Sequence, residues 1–368
     1  MNEPSTVFVG LDAHAESTAI AVAEPGRAAP RFLGTVGARF VDLTKSLAKL
    51  GRPTGLMIVY EAGPCGYTLA RELAGAGYYC EVVAPSKVPR RPGERVKTDR
   101  RDALMLASLA RAGELTPVNV PDERDEAMRD LSRARIDAVR ARHKARQQLK
   151  ALLLRHGQRY NGKCSWTAAH ERYLASVSFT HRAQDVAFVE YRHAVSEAQA
   201  RVQRLSDALA QELEHWRMRH LVEALMTLRG VDQLVATTLV AELGDFKRFG
   251  HPRELMGYLG LVPSEHTSGE RRRLGAITKT GNSHARRVLI EAAWNYRFPA
   301  RITARLQTRQ QHQPADIRAI AWRAQLRLSH RYRRLKARGL QHNKICVAIA
   351  RELAGFLWNI GQRIAASP

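Results

Sequence analysis

From Asp122 to His156 the chain carries neither glycine nor proline. At about 1.5 Å of rise per residue, an unbroken helix of that length spans about 50 Å, more than a small domain is wide. A single compact globule cannot absorb such an element. The helix must run out as a spacer, or a second long helix must lie along it. Its ends are marked as a helix requires. Asp122, Glu123, Asp125 and Glu126 load the first turns with acid, whereas residues 131–160 hold nine Lys or Arg against one acid, Asp137. That gradient matches the helix dipole. Because the bases come without balancing acids, the arm is expected to face nucleic acid.

A second long helix is written further on. Phe188, Tyr191, Val195, Ala198, Val202, Leu205, Leu209, Glu212 and Trp216 recur at intervals of three and four. This is a heptad seam with one polar interruption, Glu212. It predicts coiled-coil packing, either as a hairpin against the first helix or against another subunit. Residues 157–183 between the two read as irregular or weakly helical.

The segment before the long helix follows a different period. Val7 to Leu11, Thr18 to Ala23 and Arg31 to Val36 are short apolar runs bounded by Gly or Pro, which predicts consecutive antiparallel strands. Phe40 to Leu50 has helical spacing, Leu56 to Tyr60 reads as a buried strand, Gly66 to Ala76 as a helix and Tyr79 to Val83 as a strand. The order predicts a mixed sheet with helices on its faces. These changes of pattern divide the chain into residues 1–115, 116–220 and 221–368. The predicted class is α/β followed by mainly helical structure.

Four acids stand out by position. Asp12 and Glu61 each end a buried strand, where a mixed sheet commonly presents its site. Asp99 and Asp102, in Lys97-Thr98-Asp99-Arg100-Arg101-Asp102-Ala103, lie three apart at the start of a predicted helix and so share one face. Four carboxylates suit one or two Mg²⁺ ions, which prefer hard oxygen donors and serve phosphoryl transfer. The bland readings are a strand-end turn for Asp12 and a solvated, dipole-favoured first turn for Asp99 and Asp102. The four together, in a basic protein, favour metal. The 14 histidines show no HExxH or comparable cluster.

The C-terminal third holds most of the charge. Of the formal net charge of +24, residues 1–115 contribute +3 and residues 247–368 contribute +18. Such a field points to a polyanion, most simply nucleic acid. An anionic membrane is the competitor, but no apolar run approaches a spanning length and no signal peptide opens the chain, so no membrane role is expected. Cys65, Cys80, Cys164 and Cys346 are scattered without CxxC, which suggests a reducing cytoplasm and no structural zinc. Within the basic third, Leu225 to Phe246 reads as helix, tight turn at Gly230-Val231, then a helix from Gln233 to Leu243. That is a helix-hairpin-helix pattern suited to a phosphate, with an ordinary helical hairpin as the alternative.

Ser268-Gly269 falls in a polar loop followed by Arg271, Arg272 and Arg273. A serine hydroxyl attacks only when a base or metal helps remove its proton. Nearby arginines can hold a phosphate and offset charge developing on it. A Ser-Gly pair taken alone is more often a turn. Ser264 and Ser283 are the alternative serines. Farther on, Arg323, Arg327, Arg331, Arg333, Arg334, Lys336 and Arg338 are interleaved with Trp322, Leu326, Leu328 and Tyr332, a pattern expected to touch DNA or RNA. Ile345, Ile349, Leu353, Phe356 and Leu357 form a face expected to pack.

Asp12 in Gly-Leu-Asp-Ala-His, Glu61 in Tyr-Glu-Ala-Gly, and then Asp99 and Asp102 resemble, in order and setting, the DEDD transposases of the IS-one-ten insertion-sequence group, relatives of Piv-type invertases. The C-terminal segment is similar too, in Gly260-Leu-Val-Pro263, Ser268-Gly269, Thr278-Lys-x-Gly-Asn282 and Arg286-Arg287. The resemblance covers nearly the whole chain. It implies an N-terminal domain like the junction resolvase RuvC, of the ribonuclease-H-like fold, with Mg²⁺ held by Asp12, Glu61, Asp99 and Asp102. It implies a coiled-coil insertion that mediates assembly into a dimer or tetramer. It implies that Ser268, from the same or another subunit, forms a covalent link to DNA, with Lys279, Gly281, Asn282, Arg286 and Arg287 contacting phosphate or backbone. It further implies a structured noncoding guide RNA that pairs with donor and target DNA, and a cytoplasmic, nucleoid-associated protein. Two rivals differ in what they require. A hydrolytic junction resolvase needs the four acids but not Ser268, and a non-enzymatic helix-hairpin-helix DNA-binding protein needs neither.

Overall fold

The apolar runs at the start of the chain pair into one sheet in the computed structural model, which describes residues 6–63, 65–89, 98–268 and 271–364, without the side chains of Ser268, Arg271 and Arg272. Strands β1 (Val7–Ala13), β2 (Ser17–Ala23) and β3 (Arg31–Gly37) form an antiparallel meander. After helix α1 (Phe40–Ala48), strand β4 (Leu56–Glu61) runs parallel to β1. After α2 (Thr68–Gly75), β5 (Tyr79–Val83) runs parallel to β4. The strand order is β3-β2-β1-β4-β5, so β1 is central. The wholly apolar character of β4 has its reason here, because Ile58, Val59 and Tyr60 are all fully buried and the sheet is covered on both faces.

The two faces are covered differently. On one, Leu43 and Leu47 of α1 and Leu73 of α2 pack on Val9, Leu11, Ile58 and Tyr60. On the other lies α3 (Asp99–Ala112), whose Ala103 and Ala107 meet Ala19, Ala21 and Ala23 of β2. Small residues on both sides let the helix approach closely. Gly10 of β1 completes the seam. A Cβ there would stand 2.3 Å from the Ala103 carbonyl oxygen and 2.5 Å from the Ala107 nitrogen.

The chain divides into two compact units, Met1–Pro121 and Asp122–Pro368. The second opens with α4 (Glu123–Arg155), capped by the Asp122 carboxylate, which accepts from the Asp125 amide at 2.8 Å. A short α5 (Ala168–Ser176) follows, and then α6 (Arg182–His215) returns along α4. The two helices are tied by Arg135 to Ser206 at 2.8 Å and by Arg142 to Gln199 at 2.9 Å. One heptad forward on α4 is therefore answered by one heptad back on α6. In the seam, Phe188, Val195, Val202, Leu209 and Trp216 are buried, whereas Tyr191, Ala198 and Leu205 are half-buried and Glu212 is exposed. Of the two packings expected, the intrachain hairpin is the one formed.

The remaining helices build one core. They are α7 (Arg219–Leu225), α8 (Gln233–Leu243), α9 (Pro252–Tyr258), α10 (Ser283–Ala293), α11 (Ala304–Gln310), α12 (Ala315–Ala337) and α13 (His342–Gly361). Ile345, Ile349, Leu353 and Leu357 of α13 are fully buried there, and Phe356 is half-buried. The expected polar loop around Ser268 is instead a hairpin, β6 (Pro263–Ser268) and β7 (Arg271–Ile277), with Ser268 opposite Arg271 at its last paired rung. Its residues are polar on both faces, so no alternation announced it. Among the described residues no helix is long and apolar enough to cross a membrane.

Candidate active site

The acidic residues converge because the sheet and α3 deliver them. The last paired positions of β1 and β4 are Leu11 and Tyr60, so Asp12 and Glu61 are the next residue on each of two neighbouring parallel strands. The loop after β4 returns to β1, where the Cys65 thiol donates to the Ala13 carbonyl at 3.5 Å. The Thr98 hydroxyl caps α3 by accepting from the Arg101 amide at 3.4 Å, which fixes Asp99 and Asp102 in the first turn. Lys97, which opens that motif, lies outside the described residues.

Asp12, His14 and Asp99 offer ligand atoms that all lie within 4.8 Å of one another. The His14 Nε2 stands 3.3 Å from an Asp12 oxygen and 3.6 Å from an Asp99 oxygen. A tight turn holds it, with the His14 amide donating to the Ser17 carbonyl at 2.8 Å. Burial raises the Asp12 carboxyl above its ordinary value. His14 opposes this by charge and hydrogen bond, and the negative charges of Asp102 and Asp99 reinforce it. Asp102 thus acts on Asp12 electrostatically without joining the tight trio, and Glu61 lies one strand away. His14 is the group that reading the sequence did not single out. Its one signal was the Asp-x-His spacing, since residues two apart at a strand end can face one way.

The acids and the histidine fit a divalent cation. Like charges gathered on a half-buried carboxylate are unfavourable without a counter-charge. Carboxylate oxygens suit Mg²⁺, and an imidazole nitrogen widens the choice toward transition metals such as Mn²⁺.

The second group of residues lies in the C-terminal unit. Ser268 ends β6, but its side chain and those of Arg271 and Arg272 are outside the described residues, as are Gly269 and Glu270. Arg273 is exposed and faces His266 across the hairpin. Ser264 packs under the hairpin: a Cβ at Gly275 would come within 2.4 Å of its hydroxyl. Ser283 is the first residue of α10.

The loop from Thr278 to Asn282 is locked to the end of α9. Lys279 has φ +56°, a left-handed conformation uncommon for a side-chain-bearing residue, and its amide donates to the Gly260 carbonyl at 3.1 Å. A Cβ at Gly281 would meet the Tyr258 carbonyl oxygen at 2.0 Å. Asn282 caps α10 by accepting from the Ala285 amide at 2.9 Å, and its own amide donates to Glu242 at 2.6 Å. Arg286 donates to the carbonyls of Leu259 and Thr280, both at 2.9 Å. Arg287 pairs with Glu291 at 2.9 Å. Thus Asn282 and Arg286 both hold this loop in shape, and any phosphate they touch must share them with it. Arg333 and Arg334 are exposed on α12, whereas Arg331 pairs with Glu352 at 2.7 Å. At the α7–α8 turn, the Asp232 carboxylate already accepts from the Val235 amide at the N-terminus of α8.

Comparison with known proteins agrees with this division. Residues 9–157 match a transposase family model of the DEDD, IS110 type, and residues 222–308 match the model described as Transposase IS116/IS110/IS902 family. A Sinorhizobium fredii protein named "Putative transposase y4qE" is 46% identical over 96% of this chain and 88% of its own length. The transposase for insertion sequence element IS1533 of Leptospira borgpetersenii is 30% identical over 90% of this chain and 96% of its own. Together these place the chain in the IS110 family of DEDD insertion-sequence transposases.

Proposed function

We propose that this transposase is an RNA-guided, site-specific DNA recombinase that cuts and rejoins strands through a covalent serine–DNA intermediate, with Mg²⁺-assisted phosphoryl transfer. The observation that carries the reading is the trio Asp12, His14 and Asp99 at the end of a central strand, under the added charge of Asp102. The mixed sheet with β1 at its centre supports the RuvC-like, ribonuclease-H-like reading of the first unit. The helical pair flanking Gly230 is retained as the helix-hairpin-helix element.

Asp12, Glu61, Asp99 and Asp102 would hold the metal. Once bound, it polarises a phosphoryl oxygen and lowers the pKa of the attacking group. His14 stands where it can accept or return a proton beside Asp12. Ser268 supplies the attacking oxygen: its Oγ–P bond forms as the DNA P–O bond breaks, the serine proton is lost and the leaving strand departs with the oxygen. Arg271, Arg272 and Arg273 offset the charge on the phosphate, with Lys279, Asn282, Arg286 and Arg287 gripping the backbone. Reversal of the step on a second strand rejoins DNA without an external energy source. Two DNA ends need more than one active site, so a dimer or tetramer acts. Arg331, Arg333 and Arg334 lie in the basic third that contacts donor and target DNA and the guide RNA.

The test is to recover the chain from its host, sequence any RNA bound to it, and supply that RNA with the element's DNA and Mg²⁺. Wild-type protein is expected to give a protein–DNA adduct stable to denaturation, and Ser268→Ala to give neither adduct nor cleavage. Normal strand cutting by Ser268→Ala without an adduct would establish a hydrolytic nuclease instead.

A further inference from the structure

A cleft of about 530 Å³ opens in the C-terminal unit between α9, α12, α13 and the root of the β6–β7 hairpin. Its rim is cationic. Arg253, Arg327, Arg331, Lys344 and Arg351 line it, against the single carboxylate of Glu352. Arg327 and Arg331 each take one Glu352 oxygen, at 2.8 and 2.7 Å, so the acid is neutralised twice over. Arg253, Lys344 and Arg351 are exposed and add their charge to a rim whose net is +4. The floor has another character, being built from Met256, Ile277 and Val347. Cations above an apolar floor match an anionic phosphate joined to a flat, weakly polar base. A bare phosphate would leave the floor unused, and an acidic peptide has no flat ring to cover it.

We propose that this cleft seats one unpaired nucleotide, with the phosphate on the arginine and lysine rim and the base on the floor. Its place in the fold sets which nucleotide. Pro263 and Ile277, the first and last residues of the hairpin, line the cleft, and Ser268 ends the same strand five residues on. Five residues of strand extend about 17 Å. That distance corresponds to about five nucleotides or fewer at about 3.4 Å per nucleotide of duplex. The hairpin therefore acts as a fixed spacer between the bound nucleotide and the attacking serine. The assignment of an attacking role to Ser268 rests on the function proposed above, but the cleft's preference for a nucleotide does not.

The full chain carrying Ser268→Ala, which needs no cleavage to report, tests this by equilibrium binding. The probes are single-stranded DNA of the element's end and the RNA recovered with the protein, each with one abasic position walked along it. Binding is expected to fall about tenfold when the abasic position reaches one particular nucleotide, the scale of a lost stacking contact. A penalty confined to the DNA or to the RNA identifies the source of the nucleotide. Ala348→Phe, on the cleft wall, fills the floor and keeps every cation, and is expected to erase that position-specific penalty. A uniform response at every position in both strands overturns the proposal, even if Ala348→Phe fails to fold. So does competition by polyglutamate as strong as by the oligonucleotide. A failure of the serine mechanism leaves the abasic pattern standing, so the two readings fail separately.

Discussion

Asp12 sits half-buried, bridged by His14 to Asp99 and pressed by the charge of Asp102. A carboxyl whose folded pKa is raised holds its proton more tightly folded than unfolded. Its contribution to stability is complete below about 3.9, the unfolded value, and is lost as pH rises through the folded value. At neutral pH the ionised group is a burden that a divalent cation relieves. Asp12→Asn is therefore expected to raise the melting temperature by about 2 °C in chelator at pH 7. The same variant should lose the rise that Mg²⁺ or Mn²⁺ produces in the wild type, as read by calorimetry. Glu242 shows the opposite sign. It is fully buried, which pushes its carboxyl up. The bidentate hydrogen bonds from Arg133 at 2.7 and 2.9 Å, the Asn282 amide and the charges of Arg133 and Arg129 outweigh burial and hold it below the ordinary value. Its stabilisation is present above about 4.3 and lost as pH falls through the folded value. Glu242→Gln should cost about 3 kcal/mol at pH 7, the low end for a broken buried pair because Arg133 is half-exposed. Denaturant melts from pH 7 to 3 should show a flatter acid dependence than the wild type. These two acids also mark what sequence can disclose about single residues. Asp12 was legible because it ends an apolar run. Glu242 looked like an ordinary polar position on an apolar helix, since its partners lie 109 and 40 residues away. His14 was unreadable as a neighbour of Asp99, because only the folded helix brings them together.

At the scale of elements, the site depends on how closely α3 lies on β1. Gly10 leaves no room for a methyl group against the α3 backbone. Gly10→Ala should displace the helix, cost about 2 kcal/mol and reduce cleavage more than that loss of stability explains, because Asp99 and Asp102 move with the helix. Measuring cleavage well below the melting temperature separates the two effects. The strands of the first unit were legible because each is a short apolar run closed by turn residues. The β6–β7 hairpin was not. Glu265, His266, Arg273 and Leu274 are all exposed, so neither face carries the alternation by which strands declare themselves. Helix α5 was equally faint, with buried His170 as part of its inward face and only nine residues to show a period.

For the whole molecule, charge is the property that sequence and structure present alike. The C-terminal third keeps most of its surplus at the surface, with Arg318, Arg323, Arg333, Arg334 and Arg338 all exposed. Affinity for duplex DNA should therefore fall linearly with salt on logarithmic axes, with a slope of about −0.9 for each phosphate neutralised. Arg333→Ala with Arg334→Ala should make the slope shallower by about 2 while both variants stay folded. An unchanged slope in a salt titration would remove α12 from the interface. The long hairpin adds a property of a different kind. Because Arg135 answers Ser206 and Arg142 answers Gln199, α4 and α6 are meshed like the teeth of a rack. Seven residues lost from one helix alone leave every later tooth facing the wrong gap, whereas seven lost from both shorten the arm by about 10 Å and mesh again. Relatives of this protein can therefore change the reach of the arm only in steps, matched on its two helices, and its length is a quantity that evolution counts rather than adjusts.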